Sequence, residues 1–280
     1  MKKRILFINE ASFLKTGFSK IGLEIIQRLY STGKYEIAEL GSYAMGNDPK
    51  ADMLPWKFYG GIPHPDDQFH QQRYKSEMTG QFGSSMFEAV CLDFKPDVVV
   101  GIRDWWMDEF TLRSPFRNKF KLVWMPTVDG EPQKWEWISD YNQVDYLLTY
   151  SDYGKNVLAK EAPNLDIVDV VRPGVNTDLF VPLNKKKELR EELGIDEDCN
   201  IVLTVMRNQR RKLFPDLIEG FDLFLKNCVK SGNIDLAQNT YLYLHTSYPD
   251  VGFDIGKHIM AHGLGHKIYM TYICNQCHSW

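Results

Sequence analysis

The chain has 280 residues, of which 44% are hydrophobic and 25% charged, with a formal net charge of −4. That balance belongs to a folded chain with room for two ordinary domains, and it excludes a disordered one. The acidic total offers no overall basic field for nucleic acid, and five cysteines, three of them scattered (Cys91, Cys199, Cys228), do not make a secreted disulfide framework.

Residues 5–8 form an apolar run behind a basic start, but the run stops at Asn9 and Glu10, too short for a signal peptide, so it reads as a first strand. No stretch approaches the roughly 18 apolar residues of a membrane span, and the expectation is a cytoplasmic protein. A loop with Thr16, Gly17, Phe18 and Ser19 follows. Residues 21–29 then place apolar side chains at helical spacing, with Gly33 as a stop. Residues 47–82, rich in Pro, Gly, Asp and Gln, show no period and read as a long surface excursion.

Residues 86–94 read as a helix and 98–102 as a buried strand, with shorter strands at 122–125 and 146–150. Strands apolar on both faces that alternate with helices predict a doubly wound parallel α/β domain. Turn-rich residues 172–182 and an amphipathic helix at 185–194 predict a boundary between domains 1–183 and 184–280. Beyond it, strands at 201–205, 241–244 and 267–272 alternate with helices at 215–227 and 257–262. Leu217, Ile218, Phe221, Phe224 and Leu225 share one face of the longer helix. This predicts a second, incomplete Rossmann-like sheet whose three strands leave a long unpaired edge.

The loop between the first strand of that domain and its helix carries Arg207, Arg210, Arg211 and Lys212. In open α/β sheets ligands sit outside the carboxyl ends of the strands, where a helix N-terminus adds N–H groups and a positive dipole end. Phosphates would be held there. On charge alone, a solvated basic loop accounts for the same residues.

A strand, an arginine and a lysine five residues later resemble the opening of the second domain in the retaining glycosyltransferases of family four, enzymes of the GT-B fold. Residues 150–158 and 172–180 resemble that family's inter-domain segments. The resemblance implies that Arg207 and Lys212 grip the donor's diphosphate and neutralise it as it leaves; it gives Arg210 and Arg211 no role. Residues 16–19 resemble the glycine loop that lets the acceptor-side domain approach the donor phosphates, with Gly17 and Ser19 as its donor-phosphate residues. A plain strand-to-helix turn is the alternative. The chain has no GxGxxG, which counts against a dinucleotide oxidoreductase.

Asp104 and Asp129 each follow a strand and are candidate cleft residues, or equally turn-forming or helix-capping ones. The resemblance implies a histidine near the second position, contacting the donor sugar; residues 125–130 hold none, and Asp129 is the candidate to take its place. Trp105, Trp106, Trp124, Trp135 and Trp137 flank the two aspartates and pack in the core or stack on sugar rings.

The implied activity is transfer of a sugar from a UDP-, GDP- or ADP-sugar to an acceptor hydroxyl with retention, by front-face attack assisted by the leaving diphosphate. The resemblance implies neither a protein nucleophile nor a required metal or other cofactor, since the cation pair supplies the charge. Cys274 and Cys277 have the spacing of half a zinc site, and free thiols are expected because zinc needs two further ligands. The family's paired glutamates, eight apart, have no counterpart in the 280 residues. On the resemblance they lie beyond Trp280, so a truncated chain, inactive alone, is expected. A GT-B-fold nucleotide-sugar epimerase and a non-catalytic nucleic-acid-binding module are the alternatives, the net charge counting against the second.

Overall fold

The computed structural model describes residues 2–273, and the chain divides into two compact units, Met1–Asn176 and Thr177–Trp280. The division falls inside the turn-rich residues 172–182.

The first unit contains β1 (Lys3–Glu10), α1 (Gly17–Ser31), β2 (Tyr35–Met45), β3 (Lys57–Ile62), α2 (Gln68–Ser76), α3 (Ser84–Phe94) and β4 (Val98–Gly101). It continues with α4 (Trp105–Asp108), β5 (Lys121–Trp124), α5 (Trp135–Tyr141), β6 (Tyr146–Thr149), α6 (Asp152–Glu161) and β7 (Ile167–Val170). The strands form one parallel sheet in the order β3-β2-β1-β4-β5-β6-β7. Alternation along β1 sends Leu6 and Ile8 into one core with Phe87, Val90, Leu122 and Trp124, and Ile5 and Phe7 into another with Ile26, Ile37 and Trp56. One strand thus supplies both faces of the sheet, as its unbroken apolar run requires.

Residues 47–82 are not the structureless excursion that their composition suggests. They contain the edge strand β3 and helix α2. At Gly60 a Cβ would lie 2.1 Å from the Gly46 nitrogen, so the strand needs glycine where a side-chain pattern would have revealed it. Helix α2 buries none of its residues and therefore shows no apolar stripe.

The second unit contains α7 (Lys186–Glu192), β8 (Asn200–Val205), α8 (Phe214–Lys230), α9 (Ile234–Gln238), β9 (Thr240–His245), α10 (Ile255–Ala261) and β10 (Ile268–Met270). Its parallel sheet runs β10-β9-β8. Phe214, Ile218 and Phe221 of α8 pack on Leu242 and Leu244 of the central β9, with Ile255, Ile259, Leu264 and Ile268 completing the core. Strand β8 lies at the edge, and its Ile201, Val202, Leu203 and Val205 remain 37–67% exposed. Among the described residues no helix is long and apolar enough to cross a membrane.

Candidate functional site

Strand β8 ends at Val205, and the chain turns back to α8 through residues 206–213, which include a single 3-10 turn, Arg210–Lys212. Two features shape this loop. Leu213, just before α8, adopts the left-handed conformation at φ 51°, which an L residue takes up only at some cost. Asn208, fully buried, exchanges two hydrogen bonds with the backbone of Phe253 in the loop after β9. Its Nδ2 donates to the Phe253 carbonyl at 2.8 Å, and the Phe253 N–H donates to its Oδ1 at 3.0 Å. Gly252 makes this possible, because a Cβ there would lie 2.2 Å from Asn208 Oδ1 and 2.7 Å from the Asn208 carbonyl oxygen.

Arg207 is joined to the same second loop by a bidentate ion pair with Asp250, Nε to Oδ2 at 2.7 Å and Nη2 to Oδ1 at 2.9 Å. The Asp250 side chain is 6% exposed and that of Arg207 60%, so the carboxylate is the fixed partner and the guanidinium reaches outward. The Arg207 hydrogen bonds hold the Asp250 carboxyl down to about 2, below the usual carboxylate range. Lys212 is half-buried and makes no salt bridge to a described residue. Helix α8 begins without a capping side chain and with Pro215 in its first turn, so its dipole end adds to the positive charge of the loop. Arg207 and Lys212 therefore share one loop at the carboxyl end of the second sheet. A diphosphate is the kind of ligand such an arrangement can hold.

The remaining candidates lie at the carboxyl edge of the first sheet. Gly17 opens α1, and a Cβ placed on it would meet nothing within 4 Å, so packing inside the unit does not demand glycine there. Ser19 is buried, with its hydroxyl 2.7 Å from the Ala11 carbonyl and 2.8 Å from that of Leu14. Its backbone N–H donates to Thr16 Oγ1, the N-cap of α1, and the Thr16 hydroxyl donates to Glu10. Ser19 thus braces the loop from within, and Gly17 is the residue at its open side.

Asp104 is half-buried at the N-cap position of α4, where its side chain makes no capping hydrogen bond. Asp129 is exposed in the loop after β5. Of the flanking tryptophans, Trp124 is buried, while Trp105 and Trp137 lie 5.6 Å apart against the core; Trp106 is partly exposed with its ring edge-on to Phe82 at 5.1 Å, and Trp135 is exposed. Cys274 and Cys277 lie outside the described residues.

Several polar residues that the motifs do not reveal underlie this edge. Arg103 is buried, with Nε on Asp108 Oδ1 at 3.0 Å, Nη1 on Ser42 Oγ at 2.6 Å and Nη2 on the Phe82 carbonyl at 3.1 Å. It ties the ends of β2 and β4 to the segment before α3. Burial pushes the Asp108 carboxyl up against the opposing pull of Arg103. Glu39, also buried, accepts from Ser12 N–H and Oγ at 2.8 Å and from Trp56 Nε1 at 2.9 Å, and burial raises its carboxyl too. These are scaffolding networks. A charged residue just past an apolar strand, such as Arg103 after β4, is the sequence signal for the first of them; Glu39, inside β2, carries no such signal.

No protein-family profile matches the chain, and no curated protein does. Solved structures do match. Sucrose-phosphate synthase from Thermosynechococcus elongatus is 15% identical with a TM-score of 0.64, over 97% of this chain and 70% of that one. WaaG, a glycosyltransferase involved in lipopolysaccharide biosynthesis, is 15% identical with a TM-score of 0.61 over the same shares, 97% and 70%. UDP-GlcNAc 2-epimerase from Neisseria meningitidis, solved with UDP-GlcNAc bound, is 15% identical with a TM-score of 0.53, over 99% of this chain and 73% of that one. At such identities the likeness is one of fold: a GT-B-like α/β architecture of Rossmann-like parallel sheets.

Proposed function

We propose that the protein is a glycosyltransferase of the retaining type, moving a sugar from a nucleotide-sugar donor to an acceptor hydroxyl. The observation that carries this reading is the pair Arg207 and Lys212 on one loop at the carboxyl end of the second sheet, beside a helix start that no side chain caps. Negative charge grows on the diphosphate as the glycosidic bond breaks. Fixed cations stabilise that charge more than they stabilise the bound donor, which is what lowers a barrier. Arg207 matches two phosphate oxygens with its planar fork, and Lys212 adds a compact charge. On this reading Gly17 leaves the donor phosphates room at the start of α1, Asp104 and Asp129 face the donor sugar or acceptor, and no divalent cation is required.

Titration calorimetry of the whole chain with UDP, GDP and ADP tests the proposal. At least one should bind, equally well with and without EDTA, and Lys212→Ala should weaken it. Binding of none of the three, or binding indifferent to both Arg207→Ala and Lys212→Ala, would reject it.

A second reading, epimerisation of a nucleotide sugar, is favoured by the similarity to UDP-GlcNAc 2-epimerase. Product analysis by NMR separates the two: an epimerase converts the donor without an acceptor, whereas a retaining transferase yields a new glycoside with the donor's anomeric configuration.

A further inference from the structure

Arg207 has five N–H donors. Asp250 takes the Nε donor and one from Nη2, which leaves both Nη1 donors and the second Nη2 donor on the edge of the guanidinium turned away from the carboxylate. That free edge presents two parallel N–H groups, the geometry that pairs with two phosphate oxygens. A guanidinium on a long exposed side chain would otherwise sample many rotamers and lose that freedom on binding. Asp250 removes the search in advance.

Asp250 is itself immobilised. Its Oδ1 accepts from Arg207 Nη2 and from the Val251 N–H at 2.8 Å, and its Oδ2 accepts from Arg207 Nε and from Ser247 Oγ at 3.0 Å. With two hydrogen bonds on each oxygen, the carboxylate has no acceptor site left for a ligand or a proton relay. Its remaining use is to aim its partner.

Resting on the diphosphate-binding reading above, we infer that Asp250 is the positioning residue for Arg207. The loop after β9, through Asp250, presents the guanidinium of the loop after β8 to the diphosphate. The role carries a distinctive sign. Asp250 bears negative charge near an anion site, so by charge alone its removal strengthens anion binding, and it weakens binding only through the loss of Arg207's orientation.

The test is a double-mutant cycle on the whole chain with Arg207→Ala, Asp250→Ala and both together, titrated with inorganic pyrophosphate and with UDP after circular dichroism confirms folding. With Arg207 present, Asp250→Ala should weaken pyrophosphate binding about tenfold, within the usual coupling of contacting charged residues. In the Arg207→Ala background the same change should leave affinity unchanged or raise it. Asp250→Asn, which sets an amide N–H against the guanidinium but keeps the shape, should repeat the pattern and serves if the alanine variant does not fold. Equal weakening in both backgrounds would show a mere loop scaffold and overturn the inference, as would no weakening with Arg207 present. Failure of the unaltered chain to bind pyrophosphate or any nucleoside diphosphate would instead reject the proposed function itself, and the inference with it.

Discussion

Gly252 bears no functional group, yet the loop that carries Arg207 is held in place by what glycine leaves out. A methyl group there would strike both the side chain and the backbone of Asn208, and backbone cannot swing aside. Gly252→Ala should therefore cost about 1–3 kcal/mol, the usual penalty for overpacking, seen as a lower melting temperature, and should loosen the two hydrogen bonds to Phe253. A melting temperature equal to that of the unaltered chain would contradict this. Lys212 and Arg211 are one residue apart and make a sharp contrast. In calorimetric titration with a nucleoside diphosphate, Lys212→Ala should weaken binding about tenfold or more, as loss of a hydrogen bond to a charged group does. Arg211→Ala, at an exposed position with no salt bridge to a described residue, should cost little. The reverse result would show that the register of the phosphate clamp is wrong. Asp250 links the same loop to pH. Its folded carboxyl is held down to about 2 against an ordinary 3.8, so its contribution to stability is complete only above about pH 5 and is lost progressively as pH falls from there through about 2. An acid titration of the unaltered chain against Asp250→Asn, each followed by thermal melting, should show their difference shrinking across that window and constant above it.

At the scale of elements, legibility followed how much of each element's structure its own side chains record. Strand β1 and helix α1 were plain because β1 is apolar on both faces and α1 keeps one stripe inward. Strand β2 is hidden in the sequence although seven of its eleven residues are buried: Glu39 and Ser42, buried among apolar residues, interrupt the run that would have marked it. Strand β3 was hidden by its glycines. The cationic loop was legible from charge and position together, whereas its partner loop was not, because Asp250 follows Arg207 by 43 residues and sits in a stretch of turn residues with no periodicity. Pairings between loops leave little trace in a single sequence. The start of α1 yields its own test. Since a Cβ at Gly17 meets nothing within 4 Å, Gly17→Ala should leave the melting temperature nearly unchanged while weakening nucleotide-sugar binding. A loss of stability with unchanged binding would return Gly17 to the role of an ordinary turn residue.

For the whole molecule, the two units differ in how well they are enclosed. Among the described residues the first has seven strands with apolar cores on both faces of the sheet, while the second has three and leaves the apolar side chains of β8 partly exposed. Stability should differ accordingly. Six of the seven tryptophans, Trp56, Trp105, Trp106, Trp124, Trp135 and Trp137, belong to the first unit. In a denaturant titration, far-ultraviolet circular dichroism should therefore lose part of its amplitude before tryptophan fluorescence changes. Coincident transitions would show instead that the chain unfolds as one cooperative block. The order of strands along the chain adds a temporal consequence. The seven described strands of the first sheet, from Lys3 to Val170, all precede Asn176, so a ribosome that has released this far has delivered every one of them. Folding of that unit can then proceed during translation while β8 is still being made, and its seven strands need not compete with the exposed apolar edge of β8 for partners.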